Sequence, residues 1–240
     1  IILIIIMSEI TQIRRLSLWI FIIPFCAVNL CLLISQNYLL LDNTIFSVDM
    51  IGRSNFTIPY IDGSLSISRA SRTYPQFLIF KPAMFITAIL LVLYWKKNNS
   101  LINNFNNMKI EKNYFMIFGI LSAFFLIIHS LLLGIETDIK IFKFLRRVVL
   151  LSFIIFEIVA QTLLVICLYK IRGKILNLFN AKVLKFKIFL VGLLISVALL
   201  SIPVLINSGN VHLKHGLEWN YFVGVILFYL LTNRFWKRKS

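Results

Sequence analysis

Six apolar stretches, residues 16–36, 75–95, 113–134, 148–169, 187–206 and 218–235, fill most of the 240-residue chain. About 20 residues rising ~1.5 Å each cross the ~30 Å hydrocarbon core of a bilayer, and each stretch is close to that length. Lipid offers the backbone no hydrogen-bond partners, so such stretches must be helices. The expected fold is therefore all-α: one polytopic membrane domain over residues 1–240, with six transmembrane helices and a long outer loop at 37–74. Every polar group inside a span then needs an explanation.

Composition agrees. The chain is 60% hydrophobic and only 14% charged, leaving too few charges for a separate water-solvated domain. Its net charge of +16 would suggest a nucleic-acid partner in a soluble protein. Here the basic residues follow topology instead. With the N-terminus in the cytoplasm, most of them fall in cytoplasmic segments: Arg14 and Arg15, Lys96 and Lys97, the run from Lys170 to Lys187, and Arg234 to Lys239. Most acidic residues fall outside: Asp42, Asp49, Asp62, Glu136, Asp138 and Glu218. The expected partners are membrane lipids, not nucleic acid, and both termini are expected in the cytoplasm. An integral multi-pass protein of this kind would sit in the inner or plasma membrane of a prokaryote, or in an endomembrane of a eukaryote.

One outer segment breaks the charge rule. Lys140, Lys143, Arg146 and Arg147 alternate with Ile139, Ile141, Phe142, Phe144 and Leu145. This pattern predicts an amphipathic turn at headgroup level that runs into the fourth span, its bases holding lipid phosphates or snorkelling outward. Residues 1–6 are too short to span, and Met7 is read as the natural start. Cys26, Cys31 and Cys167 all lie within spans as small apolar fillers.

Within the spans, Asn29 calls for a partner, and Pro24 should bend its helix. Trp95 and Trp219 are placed at the interfaces, and the Asn-rich run after Lys97 reads as a polar loop. The intramembrane polar residues are Lys81, His129, Glu157 and Gln161. Glu157 and Gln161 are four apart and share one helix face. Glu157 lies near the bilayer centre, where it must be neutral or paired. Lys81 can snorkel outward or meet a buried acid.

Loop 37–74 is too long to be a simple connection. Its apolar residues Ile58, Tyr60, Ile61, Leu65 and Ile67 argue that it folds back on the helix ends. On that side the chain collects Asp62, Arg69, Arg72, His129, His212, His215 and Glu218. His215, Glu218 and Asp62 are candidate acid–base residues, and Arg69, Arg72, Arg146 and Arg147 candidate headgroup ligands. The same groups could instead only clamp the loop. His212 and His215, with Glu218 three further on, are weak zinc candidates. No P-loop or dinucleotide fingerprint occurs, and no cofactor is expected.

Two short motifs carry a family resemblance. The stretch HGLEWNYFVGVILFYLLT, with His212 or His215, Gly216, Glu218 and Trp219, resembles the start of the last span in the FRAG/DRAM/SFK family. Pro59, Tyr60, Ile61, Asp62 and Gly63 resemble that family's first-loop motif. The family comprises six-span proteins, among them autophagy modulators and a Golgi protein that remodels the lipid of GPI anchors. The resemblance implies six spans, both termini inside, a long first outer loop and work on lipid. Binding, remodelling or sensing a lipid headgroup at the outer or lumenal leaflet is the leading functional expectation, with or without catalysis. The alternatives are a non-catalytic accessory or scaffold protein with a membrane-protein partner, and a small transporter using Glu157, Gln161, Lys81 and His129.

Overall fold

A computed structural model describes residues 2–105, 114–135, 139–175, 177–207 and 209–237. The fold is all-α. Its long helices are α1 (Ile2–Gln36), α4 (Phe77–Phe105), α5 (Tyr114–Leu132), α6 (Lys140–Lys170), α7 (Ala181–Ile206) and α8 (Val211–Phe235). Two short helices, α2 (Pro59–Asp62) and α3 (Ile67–Ser71), lie in the loop between α1 and α4. Five helical segments are long and apolar enough to cross a membrane: Ile6–Gln36, Phe77–Phe105, Tyr114–Leu132, Phe144–Lys170 and Ala181–Ile206. The chain is an integral multi-pass membrane protein.

The long helices pack as a ring in chain order, α1 on α4, then α5, α6, α7 and α8, which closes back on α1. Short connections make successive helices antiparallel neighbours, so chain order becomes spatial order. α7 buries the least of its apolar surface; Phe186, Phe189, Leu199 and Leu200 face outward, where acyl chains would be.

α8, of 25 residues, is less apolar than the other long helices, because it is the polar spine of the bundle. Nearly every polar side chain along it bonds a different element. Trp219 Nε1–H donates to Leu65 O (2.7 Å), Tyr221 Oη–H to Leu194 O (3.2 Å) and Asn233 Nδ2–H to Arg14 O (2.8 Å). Arg14 Nε–H returns a bond to Asn233 O (3.1 Å). A helix whose polar groups are satisfied by protein can enter a bundle with low hydropathy.

Several sequence expectations shift. The Asn-rich run is the last part of α4, not a loop, as far as Phe105. Its polar side chains have work inside the protein: Asn98 is buried and donates to Tyr94 O (2.8 Å), while Ser100 and Asn104 donate to the Glu9 carboxylate on α1 (2.5 and 3.1 Å). Trp95 and Trp219, expected at the membrane interfaces, are both fully buried. Trp95 lies directly on Gly119 of α5, where any side chain would strike the indole. The amphipathic turn at 139–147 does continue into the next span, as the start of α6.

Candidate functional site

Loop 37–74 closes over one end of the ring, and its centre is the turn made by Pro59–Asp62 and Gly63. Proline at the first helical position is pre-set for α2, and Gly63 ends it at φ 58°, where a Cβ is unfavourable. The Asp62 carboxylate accepts from Ile58 N–H (2.9 Å), Ser64 N–H (2.9 Å) and Ser64 Oγ–H (2.7 Å). The Ser64 bonds, chiefly, hold the Asp62 carboxyl below the usual carboxylate range. Tyr60 reaches into the bundle, where its hydroxyl donates to Asn29 Oδ1 (3.0 Å) and its ring meets Trp219 edge-on at 4.8 Å. Asn29 therefore finds its partner in the loop, not on another long helix.

The start of α8 receives this turn. His215 Nδ1 bonds Gly63 O (3.0 Å), and a side chain at Gly63 would overlap the His212 carbonyl. Burial pushes the His215 imidazole below its ordinary value, and because a carbonyl oxygen can only accept, Nδ1 is the donating nitrogen. Glu218 accepts from Ser68 N–H (3.3 Å) and sits at the N-terminus of α3. Asn220 Nδ2–H donates to Tyr60 O (2.7 Å). The two motifs that resemble one family, about 150 residues apart in sequence, are thus packed on each other. Asp62, His215 and Glu218 converge here, each with backbone partners. Arg69 donates from Nε to Ile51 O (3.1 Å) and lies within the field of His215; His212 is exposed. Among the described residues, no three His, Cys, Asp or Glu side chains come together as a metal site requires.

A second group of candidates meets at another corner of the same end. Arg72 follows α3, Lys81 lies in the second turn of α4, His129 near the end of α5 and Arg146 near the start of α6. Gly134 (φ 86°) turns the chain here; a Cβ on it would stand 2.8 Å from Arg72 O and 3.9 Å from Lys81 Nζ. Lys81 extends back toward Phe77, its ammonium 5.4 Å from that ring centroid, which is the snorkelling conformation and not a pairing with a buried acid. Arg146 is half-buried within the field of Arg72, and His129 within the field of Arg146. Arg72 Nε and His129 Nδ1 are buried without hydrogen-bond partners. Of the acids in loop 37–74, Asp42 pairs with Arg53 (3.0 Å) and Asp49 accepts from Tyr74 N–H (3.1 Å). Glu136 and Asp138 lie outside the described residues.

The third group is inside the bundle. Glu157 of α6 accepts from Ser122 Oγ–H of α5 (2.5 Å), from Gln161 Nε2–H (3.0 Å) and from the Tyr229 hydroxyl of α8. Gln161 also donates to Val225 O (3.2 Å), while its Oε1 is buried without a partner. Beside this lies Lys187 of α7, fully buried, donating to Thr232 Oγ1 (2.7 Å) with its ammonium 3.9 Å from the Phe228 ring centroid. Thr232 also bonds the Tyr94 hydroxyl (3.2 Å), and the Tyr94 and Tyr229 rings meet at 5.0 Å. Sequence reasoning placed Lys187 at a span edge; the structure encloses it, because α7 starts six residues earlier at Ala181. Tyr94, Tyr229 and Thr232 gave no signal in sequence, since isolated hydroxyls in apolar helices are ordinary. His129 and Lys81, grouped with Glu157 beforehand, belong to the outer corner instead.

Compared with known proteins, the chain matches no family model, no curated protein and no solved structure.

Proposed function

We propose that the protein crosses the membrane six times, with both termini in the cytoplasm, and binds, remodels or senses a lipid headgroup at the leaflet covered by loop 37–74. The observation that carries this reading is the loop itself. It is tied down by hydrogen bonds to α1 and α8, yet it holds large apolar side chains outward: Leu39, Leu40, Ile45, Met50, Phe56 and Ile61 are 70–84% exposed. An ordered loop with that face suits the headgroup–acyl boundary, not water. α8, of 25 residues, is about 37 Å long and supplies the sixth crossing. The contact between the two motifs supports kinship with the FRAG/DRAM/SFK family. Lipid extracts of cells lacking the protein should differ in one headgroup class from cells carrying it. Unchanged lipids, with the protein inserted and folded, would count against the reading, and so would a loop whose attached fluorophores resist quenching by lipid-borne quenchers.

The interior cluster favours a second reading, a small transporter. A carboxyl group and an amine enclosed in one bundle, with Gln161 Oε1 unpartnered, are what a proton or ion path requires. Purified protein in liposomes should then carry a pH-dependent flux that Glu157→Gln abolishes. No flux above empty liposomes would sink this second reading.

A further inference from the structure

We infer that Arg72, Lys81, His129 and Arg146 form a binding site for a phosphate group, which on the proposed reading is that of an anionic lipid. Four separate segments carry these side chains at one end of the bundle, where Lys81 Nζ stands 3.9 Å from the Cβ position of Gly134, Arg146 lies in the field of Arg72 and His129 in that of Arg146. Surface lysines and arginines scatter because they repel; Arg72 and Arg146 instead stand within each other's field, one of them half-buried. Among the described residues no carboxylate bonds any of the four. Such an arrangement costs free energy until an anion is added.

The donors identify the anion. Arg72 Nε and His129 Nδ1 are buried and unpartnered, with His129 only 7% exposed. Guanidinium, ammonium and imidazole N–H donors from separate elements match the tetrahedral oxygens of a phosphate, whereas a flat carboxylate would use fewer of them. Gly134 matters because a Cβ there would reach both the Arg72 carbonyl and the Lys81 ammonium. The site lies where α5 ends and α6 begins. Arg147, one residue from Arg146 but exposed, is not part of it.

The test uses the full chain purified in an uncharged detergent. Its thermal stability is titrated with short-chain phosphatidic acid, short-chain phosphatidylcholine and inorganic phosphate. Phosphatidic acid should stabilise the protein, and Arg72→Gln and Arg146→Gln should each weaken that response at least about tenfold. Arg147→Gln should leave it unchanged. His129→Asn, a milder change, guards against variants that fail to fold; it too should weaken the response. Inorganic phosphate acting as strongly as the lipid, with the same variant dependence, upholds the phosphate site and removes the lipid reading. Stabilisation by lipid that ignores all three substitutions, or that phosphatidylcholine matches, overturns the inference while leaving headgroup binding elsewhere intact. No response to any of the three ligands overturns it outright.

Discussion

Asp62 shows how much one side chain can decide in the loop. It closes its own turn three times over, and those bonds are stronger to the ionised carboxylate than to the neutral acid. Its folded value lies below the ordinary one of about 4. The turn is therefore fully stabilised above that ordinary value and loosens as pH falls through the depressed one. Limited proteolysis of loop 37–74 should speed up over that acid range in the natural protein, while Asp62→Asn should be cleaved faster at neutral pH and lose this pH dependence. Gly63 is the neighbouring constraint. With φ 58° and the His212 carbonyl against it, Gly63→Ala meets both strain and overlap and should cost more than about 1 kcal/mol. Thermal unfolding measures the loss, and early cleavage of the loop shows that it has come off α8. A Gly63→Ala protein as stable as the natural one would mean that the loop is not docked this way. An Asp-Gly pair makes a turn by its own local chemistry; that this turn lands on His212 and His215 is not written in it, because nothing local encodes a contact across about 150 residues.

At the scale of elements, helices were easier to locate than to delimit. Apolar runs marked the spans because lipid-facing residues must be apolar. The ends were misplaced wherever protein, not lipid or water, surrounds a polar residue: Asn98 and Asn104 extend α4, and Glu9 belongs to α1. The same cause hid the two tryptophans. Trp95 was read as an interface anchor, yet it is packed against Gly119, Tyr94 and Phe115. A methyl at Gly119 must displace that indole or separate α4 from α5, so Gly119→Ala should destabilise by about 1–3 kcal/mol. Reversible unfolding in detergent would give the value, and a burial-dependent shift of tryptophan emission would report the moved ring. An unchanged stability would show that the two helices are more loosely packed than described.

Taken whole, the bundle joins polar groups from α4, α5, α6, α7 and α8 around Glu157 and Lys187. Removing Glu157 by Glu157→Leu forfeits its bonds to Ser122, Gln161 and Tyr229; at the modest worth of hydrogen bonds between membrane helices the loss should be about 1–2 kcal/mol, with Glu157→Gln milder. Lys187→Met keeps the volume and removes a buried amine held by a single hydroxyl, so stability should hold or rise. Should Lys187→Met unfold the protein, the amine is a structural keystone and not a spare polar group. The amino-acid sequence by itself settled the solvent: enough consecutive apolar residues leave helices in a bilayer as the one way to satisfy the backbone, and a turn motif needs only its own few residues. Tertiary structure alone decided which polar residues became neighbours. It divided one imagined outer cluster into a loop clasp and a basic corner, and it moved His129 and Lys81 away from Glu157. The physical reason is that a polar group buried among helices takes its partner from whichever element the ring places beside it, and hydropathy along a chain carries no record of that choice.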